Sequence, residues 1–471
     1  MNENPEKLST KTKVIYGIGA FGYGSVGQTL GSFLMFFGTG ILGIPGALMG
    51  LAVAVSTVWD ATTDPFIGHF SDNSKSHRFG KRHAFILVGC IFVAIFNLFI
   101  WGIAPGSPTG IKFGLMFTFL MLVETFNTTY STPYQALGLD LAKTYEDRTA
   151  VQAYKTVFSF LALLVPSLLM AVFLREGRYE TLADSVSGYR YIAIVTSSLC
   201  VICGLVVFLG TYKNRSISKF ARGSGNDTDM QKPKTMAAIM ANFFSVITQK
   251  NVGRLIIGYA ISLTAGAFLT SLGLHIFTYT FSFTASQIPF IMVCLVLGII
   301  GGQPLWFWLS RKFDKSAALV MALFAIIAGM VIFSTVLTFR NAIPEGLVLP
   351  LVSLTIFICG IGTGCLYSLP VSMFADCIEL EKQKTGEDKT AISAGFLTFC
   401  TKISNAVIMF IIGVSLDLIG FNGGESTQTM AVQNWLGWLL IIGVIVACVA
   451  AIVVYSGYSY KREDFTTGVE E

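Results

Sequence analysis

Apolar stretches about as long as a membrane is thick recur along almost the whole chain. A helix needs roughly 20 predominantly apolar residues to cross the hydrocarbon core of a bilayer. We therefore predict an all-α integral membrane protein with twelve transmembrane helices. The predicted spans are residues 13–37, 45–71, 83–104, 111–139, 149–174, 188–212, 254–281, 286–310, 316–338, 347–375, 389–419 and 432–459.

The composition excludes an ordinary soluble domain. Of the 471 residues, 53% are hydrophobic and only 13% are charged, and the mean hydropathy is +0.68. Soluble proteins carry about 25% charged residues. The polar, basic first residues run directly into the first span, so we expect no cleavable signal peptide. The nine cysteines lie mostly in apolar stretches, which favours small buried side chains over a disulfide or metal framework.

The longest polar connection divides the chain into two halves of six helices. We predict an N-terminal six-helix bundle at residues 1–212, a cytoplasmic central loop at 213–253, and a C-terminal six-helix bundle with a cytoplasmic tail at 254–471. A proline and a basic turn end both the second and the eighth helix, which indicates a weak internal repeat. Two pseudo-symmetric bundles are the pattern of the major facilitator fold, whose substrate site lies between the halves. Gln303 stands where the repeat has an aspartate, so we expect ion coupling mainly in the first half.

Basic residues fall unevenly on the two sides of the predicted membrane. Of the 32 lysines and arginines, 25 lie on the side that carries both termini and 5 on the other, while Lys155 and Lys402 lie inside predicted helices. Cytoplasmic segments carry the excess of lysine and arginine. We therefore expect a multi-pass protein of the cytoplasmic (inner) membrane with both termini in the cytoplasm.

Two aspartates, Asp60 and Asp64, lie four residues apart inside the second span. A carboxylate costs roughly 2.5–3.5 kcal/mol at the centre of a membrane helix, and this spacing places both on one helical face. Two like charges so close repel unless a cation or a proton lies between them. Pro65 leaves the carbonyl of Ala61 without its helical donor and so adds an oxygen ligand. The pair indicates a site for a coupling cation, sodium or a proton; binding to backbone or to a lysine is the structural alternative.

Helix four carries a polar stripe within an apolar span. Glu124, Thr128 and Ser131 lie at i, i+4 and i+7 and therefore share one face. Glu124 either completes the cation or solute site or forms a salt bridge with Lys155 or Lys402. The stripe therefore leaves both roles for helix four open.

Four segments resemble the glycoside–pentoside–hexuronide:cation symporter family: YGIGAFGYG, VWDATTDPFIGHFSDNSKSHRFGKRHAFIL, TPYQALGLDL and MFADCIELEKQKTGE. The resemblance extends over the whole chain and is most specific in the WDxxTDP helix with its basic loop. It implies secondary active symport of a sugar-type solute with sodium, a proton or lithium, by alternating access. By position it also implies a cation site of Asp60, Asp64, Thr63, Thr128 and Lys402, with Asp60, Asp64 and Thr128 as sodium ligands.

The sugar-binding residues of that family are not matched. Its two sugar-binding aspartates fall on Gly24 and Ser131, its tryptophan falls on Gln135, and Lys155 is closest to its helix-five arginine. Lys155 suits an anionic solute, or it reaches the cytoplasmic interface. The segment LVETFNTTYSTPYQAL also resembles the vertebrate sodium-dependent lysolipid symporter. The solute is therefore a glycoside, pentoside, hexuronide or related sugar or, alternatively, a non-sugar amphiphile such as a lysolipid.

The remaining candidates are side chains predicted in the spans or at their cytoplasmic ends. Sugar sites use aromatic faces and amide hydrogen bonds, whereas His275 also suits a helix interface. The basic gating candidates also fit the ordinary excess of positive charge in cytoplasmic loops. The solute-binding candidates are Tyr23, Gln28, Glu124, Ser131, Tyr134, Gln135, Lys155 and His275, and the gating candidates are Arg78, Lys81, Arg82 and Asp376.

The sequence does not favour an enzyme. None of the four histidines, at positions 69, 77, 83 and 275, lies near a second catalytic group at a useful spacing. A channel or a sensor without coupling is the other alternative. We expect no cofactor apart from the coupling ion, no nucleic-acid partner, and a functional monomer whose partners are a small-molecule solute, a monovalent cation and membrane lipids.

Overall fold

The chain is all-α throughout the residues that the computed structural model describes, which are 8–72, 74, 82–142, 144–174, 184–212, 250–385, 390–423, 425 and 427–460. The all-α prediction is confirmed, and each predicted span overlaps a helix. The helices are α1 (Thr10–Phe36), α2 (Gly46–Asp72), α3 (His83–Trp101), α4 (Thr109–Leu141), α5 (Tyr145–Phe173), α6 (Val186–Tyr212), α7 (Lys250–His275), α8 (Ile288–Lys312), α9 (Lys315–Phe339), α10 (Glu345–Leu366), α11 (Leu369–Thr385), α12 (Thr390–Leu418) and α13 (Met430–Ser456).

One predicted span, residues 347–375, is interrupted between α10 and α11. The N–H groups of Tyr367 and Ser368 donate to carbonyls three residues back, which closes the last turn of α10. Pro370 has no N–H, and its ring clashes with a helical carbonyl four residues earlier. The helical hydrogen bond from residue 370 to residue 366 is therefore missing at the point where α11 begins.

Ten of the described helical segments are long and apolar enough to cross a membrane. The helices α1 and α2 are not among them, although each has 27 residues. Glycines and tyrosines recur along α1, and aspartates and threonines interrupt α2. These small and polar residues lower the hydropathy of α1 and α2 below that of the other described spans.

The first helix of each half ends in the same unusual way, with a π-helical turn. These turns are Phe37–Ile41 after α1 and Ile276–Thr280 after α7. The N–H of Leu42 donates to the carbonyl of Phe37 at 2.9 Å, and the N–H of Phe281 donates to that of Ile276 at 3.1 Å. A π-helical turn is rare, so its occurrence at both positions supports the internal repeat.

The chain forms two compact units, and the first comprises Met1–Ile44 and Val55–Pro233. In its core the rings of Tyr16 in α1 and Tyr134 in α4 stack with centroids 4.5 Å apart. Gly19 permits this approach, because a Cβ atom there would lie 2.5 Å from the Tyr134 ring. Tyr134 thereby orients one face of α4 toward α1, so other faces of α4 are left for other neighbours.

The second unit comprises Pro45–Ala54 and Lys234–Glu471. Its helices α8 and α10 approach backbone to backbone. A Cβ atom at Gly298 would lie 2.4 Å from the carbonyl oxygen of Phe357, and one at Gly360 would lie 2.4 Å from that of Leu295. Small residues allow such close packing of membrane helices. The predicted central loop lies outside the described residues, apart from 250–253 at the start of α7.

Candidate functional site

The two aspartates of the first unit lie on a helix that stays regular around them. The hydroxyl of Thr62 donates to the carbonyl of Trp59 at 2.8 Å, and the hydroxyl of Thr63 donates to the carbonyl of Asp60 at 3.2 Å. Pro65 lies inside α2 without ending it. Both threonines therefore satisfy their hydroxyl groups within α2, and the carboxylates are left to interact with neighbouring helices.

Asp60 is buried, with 9% of its surface exposed. Its carboxylate oxygen Oδ1 accepts a hydrogen bond from the hydroxyl of Thr128, which is fully buried on α4. A hydrogen bond to a charged group contributes about 1.5–3 kcal/mol to stability, against about 0.5–1.5 kcal/mol for a neutral one. Asp60 and Thr128, which were both predicted at the cation site, are thus in direct contact.

Asp64 has a similar partner one helical turn further along. The hydroxyl of Thr132 donates to Oδ1 of Asp64 at 3.4 Å, and Asp64 is half-buried. The acids on α2 and the threonines on α4 share a four-residue spacing, so the hydroxyl–carboxylate contact repeats one turn apart. Thr132 was not predicted, although its position four residues after Thr128 was a usable signal.

A third contact fixes the register of the two helices. The indole Nε1 of Trp59 donates to the hydroxyl of Thr125 at 2.9 Å, and that hydroxyl donates to the carbonyl of Met121 at 2.7 Å. Three side-chain hydrogen bonds thus join α2 to α4: Trp59 donates to Thr125, and Asp60 and Asp64 accept from Thr128 and Thr132. These bonds resist sliding of α4 past α2.

The donor set suits a small hard cation. Carboxylate and hydroxyl oxygens bind such ions, whereas sulfur and imidazole favour transition metals. Among the described residues no group of three or more His, Cys, Asp or Glu side chains is placed to hold a metal ion. Each threonine hydroxyl has two lone pairs besides its proton, so Thr128 can donate to Asp60 and still offer an oxygen to a cation. The arrangement has the charge and the oxygens that a monovalent cation needs.

Several solute-binding candidates lie along α4 and α5 of the first unit. The ammonium of Lys155 donates to Oε1 of Gln135 at 3.5 Å, with Lys155 half-buried and Gln135 exposed. Glu124 and Ser131 are half-buried on α4. The structure therefore brings the ammonium group of Lys155 and the side-chain amide of Gln135 together. Groups of both kinds can bind polar solutes.

Two aromatic or imidazole candidates are packed inside the units. Tyr134 is fully buried and donates through its hydroxyl to the carbonyl of Tyr16 at 2.6 Å. His275 is fully buried, and its Nδ1 lies 3.2 Å from the carbonyl oxygen of Ser271. Both side chains serve helix packing in this conformation. Their predicted role toward a solute stays a prediction.

Two other candidates on α1 are half-buried. Tyr23 lies against Tyr130 and Tyr134, with ring centroids 5.3 and 5.7 Å away. Gln28 lies further along the same helix. Tyr23 is thus the half-buried member of a tyrosine cluster whose other members are buried.

The gating candidates make ion pairs where the structure describes them. Nε of Arg82 lies 2.5 Å from Oδ2 of Asp140 in the first unit, and Lys315 pairs with Asp376 in the second. The other two candidates, at positions 78 and 81, lie outside the described residues. Lys402 is half-buried on α12 of the second unit, and its predicted place beside the aspartates stays a prediction.

A carboxylate that the sequence did not single out joins the starts of α1 and α5. Asp147 accepts hydrogen bonds from the N–H of Leu8 at 3.1 Å and from the hydroxyl of Thr144 at 3.0 Å, and Nζ of Lys13 lies 2.8 Å away. The hydrogen bond from Lys13 holds the pKa of this carboxyl below its ordinary value. These contacts hold the first turns of α1 and α5 together.

A family model and curated relatives match this chain over most of its length. The model of a family described as MFS/sugar transport protein matches residues 15–462. The sodium-dependent lysophosphatidylcholine symporter 1 of Xenopus tropicalis is 23% identical, over 97% of this chain and 88% of that protein. The sphingosine-1-phosphate transporter MFSD2B of Mus musculus is 24% identical, over 95% of this chain and 88% of that protein.

Solved structures agree on the fold. The crystal structure of a D-xylose–proton symporter is similar with a TM-score of 0.65 and 11% sequence identity, over 94% of this chain and 96% of that chain. At this identity the likeness concerns the fold alone. It matches the helical architecture expected from the sequence.

Proposed function

The chain belongs to the MFS/sugar transport protein family, and on that premise we propose that it is a sodium-coupled symporter of an amphiphile of the lysophospholipid type. Membership of the family makes the chain a secondary transporter of the major facilitator type and not an enzyme. The coupling ion and the cargo are the parts that we propose. Each is supported by a different observation.

The coupling ion is supported by the ladder of contacts between α2 and α4. Asp60 and Asp64 are held one turn apart, and hydroxyls of Thr128 and Thr132 contact them. A proton would need only one of the two carboxylates. Sodium needs several oxygens in a compact arrangement, and two carboxylates with neighbouring hydroxyls supply them. This paired geometry is the single observation that carries the proposal of sodium.

Coupling follows from the charge of the site. Two carboxylates in a membrane helix are costly without a counter-charge, so a bound cation stabilises the conformation in which both acids are enclosed. If the solute favours the same conformation, cation and solute raise each other's affinity by the same factor. Because cation and solute cross together, an inward sodium gradient would drive uptake of the solute.

The cargo is supported by the relatives and by the missing sugar ligands. Two relatives that span nearly the whole chain are named as transporters of lysophosphatidylcholine and sphingosine-1-phosphate. Both names describe single-chain lipids with a phosphate group. Gly24 and Ser131 occupy the positions of the two sugar-binding carboxylates of the glycoside symporters that the sequence resembles. A lysolipid needs no such pair of carboxylates.

A sugar acid is the second candidate. The family is described by sugar transport, and the contact between Lys155 and Gln135 offers an ammonium and an amide. Such groups bind the carboxylate and hydroxyls of a hexuronide. The same ammonium would also bind the phosphate of a lysolipid, so this contact favours an anionic group in the solute without separating the two cargoes.

A binding screen with purified protein in lipid nanodiscs tests the proposal. The probes are lysophosphatidylcholine, a glucuronide and a neutral galactoside, each in sodium and in potassium buffer. A ligand that binds the native state raises the unfolding temperature, and we expect lysophosphatidylcholine to do so more strongly in sodium. A sodium-dependent shift with the glucuronide alone would select the second candidate. A shift with no probe, or shifts of equal size in both buffers, would contradict sodium-coupled transport of these solutes.

A further inference from the structure

A cavity of about 790 Å³ lies in the second unit, between the end of α8, the turn into α9, the start of α11 and the residues after α13. The candidate cation site belongs to the first unit, so this cavity has no part in it. Four charged side chains line the cavity: Arg311 and Lys315 are cations, and Asp314 and Asp376 are anions. The lining therefore has no net charge but has strong local charges of both signs.

Contacts with neighbours hold three of these charges in place. Lys315 donates to the hydroxyl of Ser372 at 2.8 Å and pairs with the carboxylate of Asp376. The guanidinium carbon of Arg311 lies 4.2 Å from the centroid of the Phe307 ring, as in a cation–π contact. A ligand that enters the cavity thus meets charges that neighbouring side chains already position.

Aromatic side chains surround the end of α8 beside the cavity. Phe307, Trp308 and Phe313 are 58%, 56% and 49% exposed, which is unusual for aromatic rings unless lipid covers them. The ammonium of Lys312 lies 5.2 Å from the rings of both Trp308 and Phe313. Aromatic and basic residues together mark the level of lipid headgroups. The distribution of basic residues in the sequence predicts that this level is the cytoplasmic one.

We propose that this cavity binds the headgroup of an aminophospholipid from the surrounding membrane. The phosphate of such a lipid would pair with Arg311, and its ammonium would donate to Asp314 or Asp376. A purely anionic headgroup would meet two carboxylates, and a choline headgroup has no N–H to donate to them. A lipid with both a phosphate and a primary ammonium matches the two signs of charge.

Lipid binding to purified protein tests this inference. The unfolding temperature in detergent is measured with added phosphatidylethanolamine, phosphatidylcholine or phosphatidylglycerol, and with soluble glycerophosphoethanolamine. We expect phosphatidylethanolamine to produce the largest rise. In Arg311→Gln and in Asp314→Asn, we expect its apparent affinity to fall about tenfold, as for loss of one charge-assisted hydrogen bond.

Lys312→Gln is the matched control, because it removes a cation from the same turn that does not line the cavity. It should leave the lipid preference unchanged. Variants are compared only if their unfolding temperature without lipid equals that of the parent protein. Equal shifts with all three lipids, or an unchanged preference in both cavity variants, would overturn the proposal. If glycerophosphoethanolamine bound with the same affinity as phosphatidylethanolamine, the ligand would be a soluble phosphate ester and not a membrane lipid, which would overturn the proposal.

Discussion

At the scale of single residues, the cation site depends on hydroxyl groups as much as on the two acids. Thr128 is fully buried and its hydroxyl bonds to Asp60, while Thr129 beside it bonds to the carbonyl of Thr125 in its own helix at 2.8 Å. Two adjacent buried threonines thus have different partners. The pair makes it possible to separate loss of the site from loss of a buried hydroxyl.

Replacing Thr128 by valine keeps the shape and removes the hydroxyl. Because a hydrogen bond to a charged group stabilises by about 1.5–3 kcal/mol, we expect Thr128→Val to weaken sodium binding about tenfold or more. Sodium-dependent change in unfolding temperature measures this. Thr129→Val should bind sodium like the parent protein. Equal sodium affinity in the two variants would show that the Thr128 hydroxyl has no part in the site.

At the scale of helices, two contacts within the units are expected to contribute to stability. One is the backbone approach of α8 to α10 in the second unit, which requires glycine at positions 298 and 360. The other is the cluster around Asp147 in the first unit, which joins the starts of α1 and α5. Both are independent of the proposed solute and can be tested on protein without ligand.

Gly298→Ala should destabilise the second unit. The added methyl group would lie 2.4 Å from a backbone oxygen, and overpacking of this kind costs about 1–3 kcal/mol. Gly301 is the control, because it lies on the same helix with no heavy atom within 4 Å of an added Cβ. We expect a lower unfolding temperature for Gly298→Ala only. Equal unfolding temperatures in the two variants would contradict the close approach of α8 and α10.

Stability should depend on the charge of Asp147 at low pH. Its pKa is lowered in the folded protein by Lys13, so its contribution is complete above the unfolded pKa of about 3.9 and is lost as the pH falls through the folded pKa. Asp147→Asn should therefore lower the unfolding temperature at neutral pH and reduce its further decrease below pH 4. A variant with the pH profile and unfolding temperature of the parent protein would contradict a stabilising Lys13–Asp147 contact.

At the scale of the whole molecule, the length of the apolar stretches was sufficient to predict the helices. The two aspartates stood out because they are charged residues inside one of those stretches. The resemblance to known symporters assigned Thr128 to the cation site, and in the structure its hydroxyl donates to Asp60; its role toward a cation stays a prediction. Thr132 was missed, although its spacing of four residues from Thr128 places both threonines on the same face of α4. The pairing of Lys315 with Asp376 could not be predicted, because 61 residues separate them and only the fold brings them together.

Burial limited the prediction of solute-binding residues in particular. Tyr134 and Gln135 are adjacent in the sequence, and both have groups that suit a sugar. Packing against Gly19 buries Tyr134, whereas Gln135 stays exposed beside Lys155. Consecutive residues on a helix point in different directions, and the sequence alone does not show which of these directions faces another helix. Residue type alone therefore cannot separate a packing tyrosine from a binding one.

A calorimetric sodium titration of the purified protein, with and without lysophosphatidylcholine, tests whether Asp60 holds the coupling ion. We predict that the parent protein binds sodium, that the lysolipid tightens this binding, and that sodium tightens lysolipid binding by the same factor. Asp60→Asn should lose sodium binding and, with it, the effect of sodium on the lysolipid. Sodium binding of unchanged affinity in Asp60→Asn would contradict the assignment of this aspartate to the cation site.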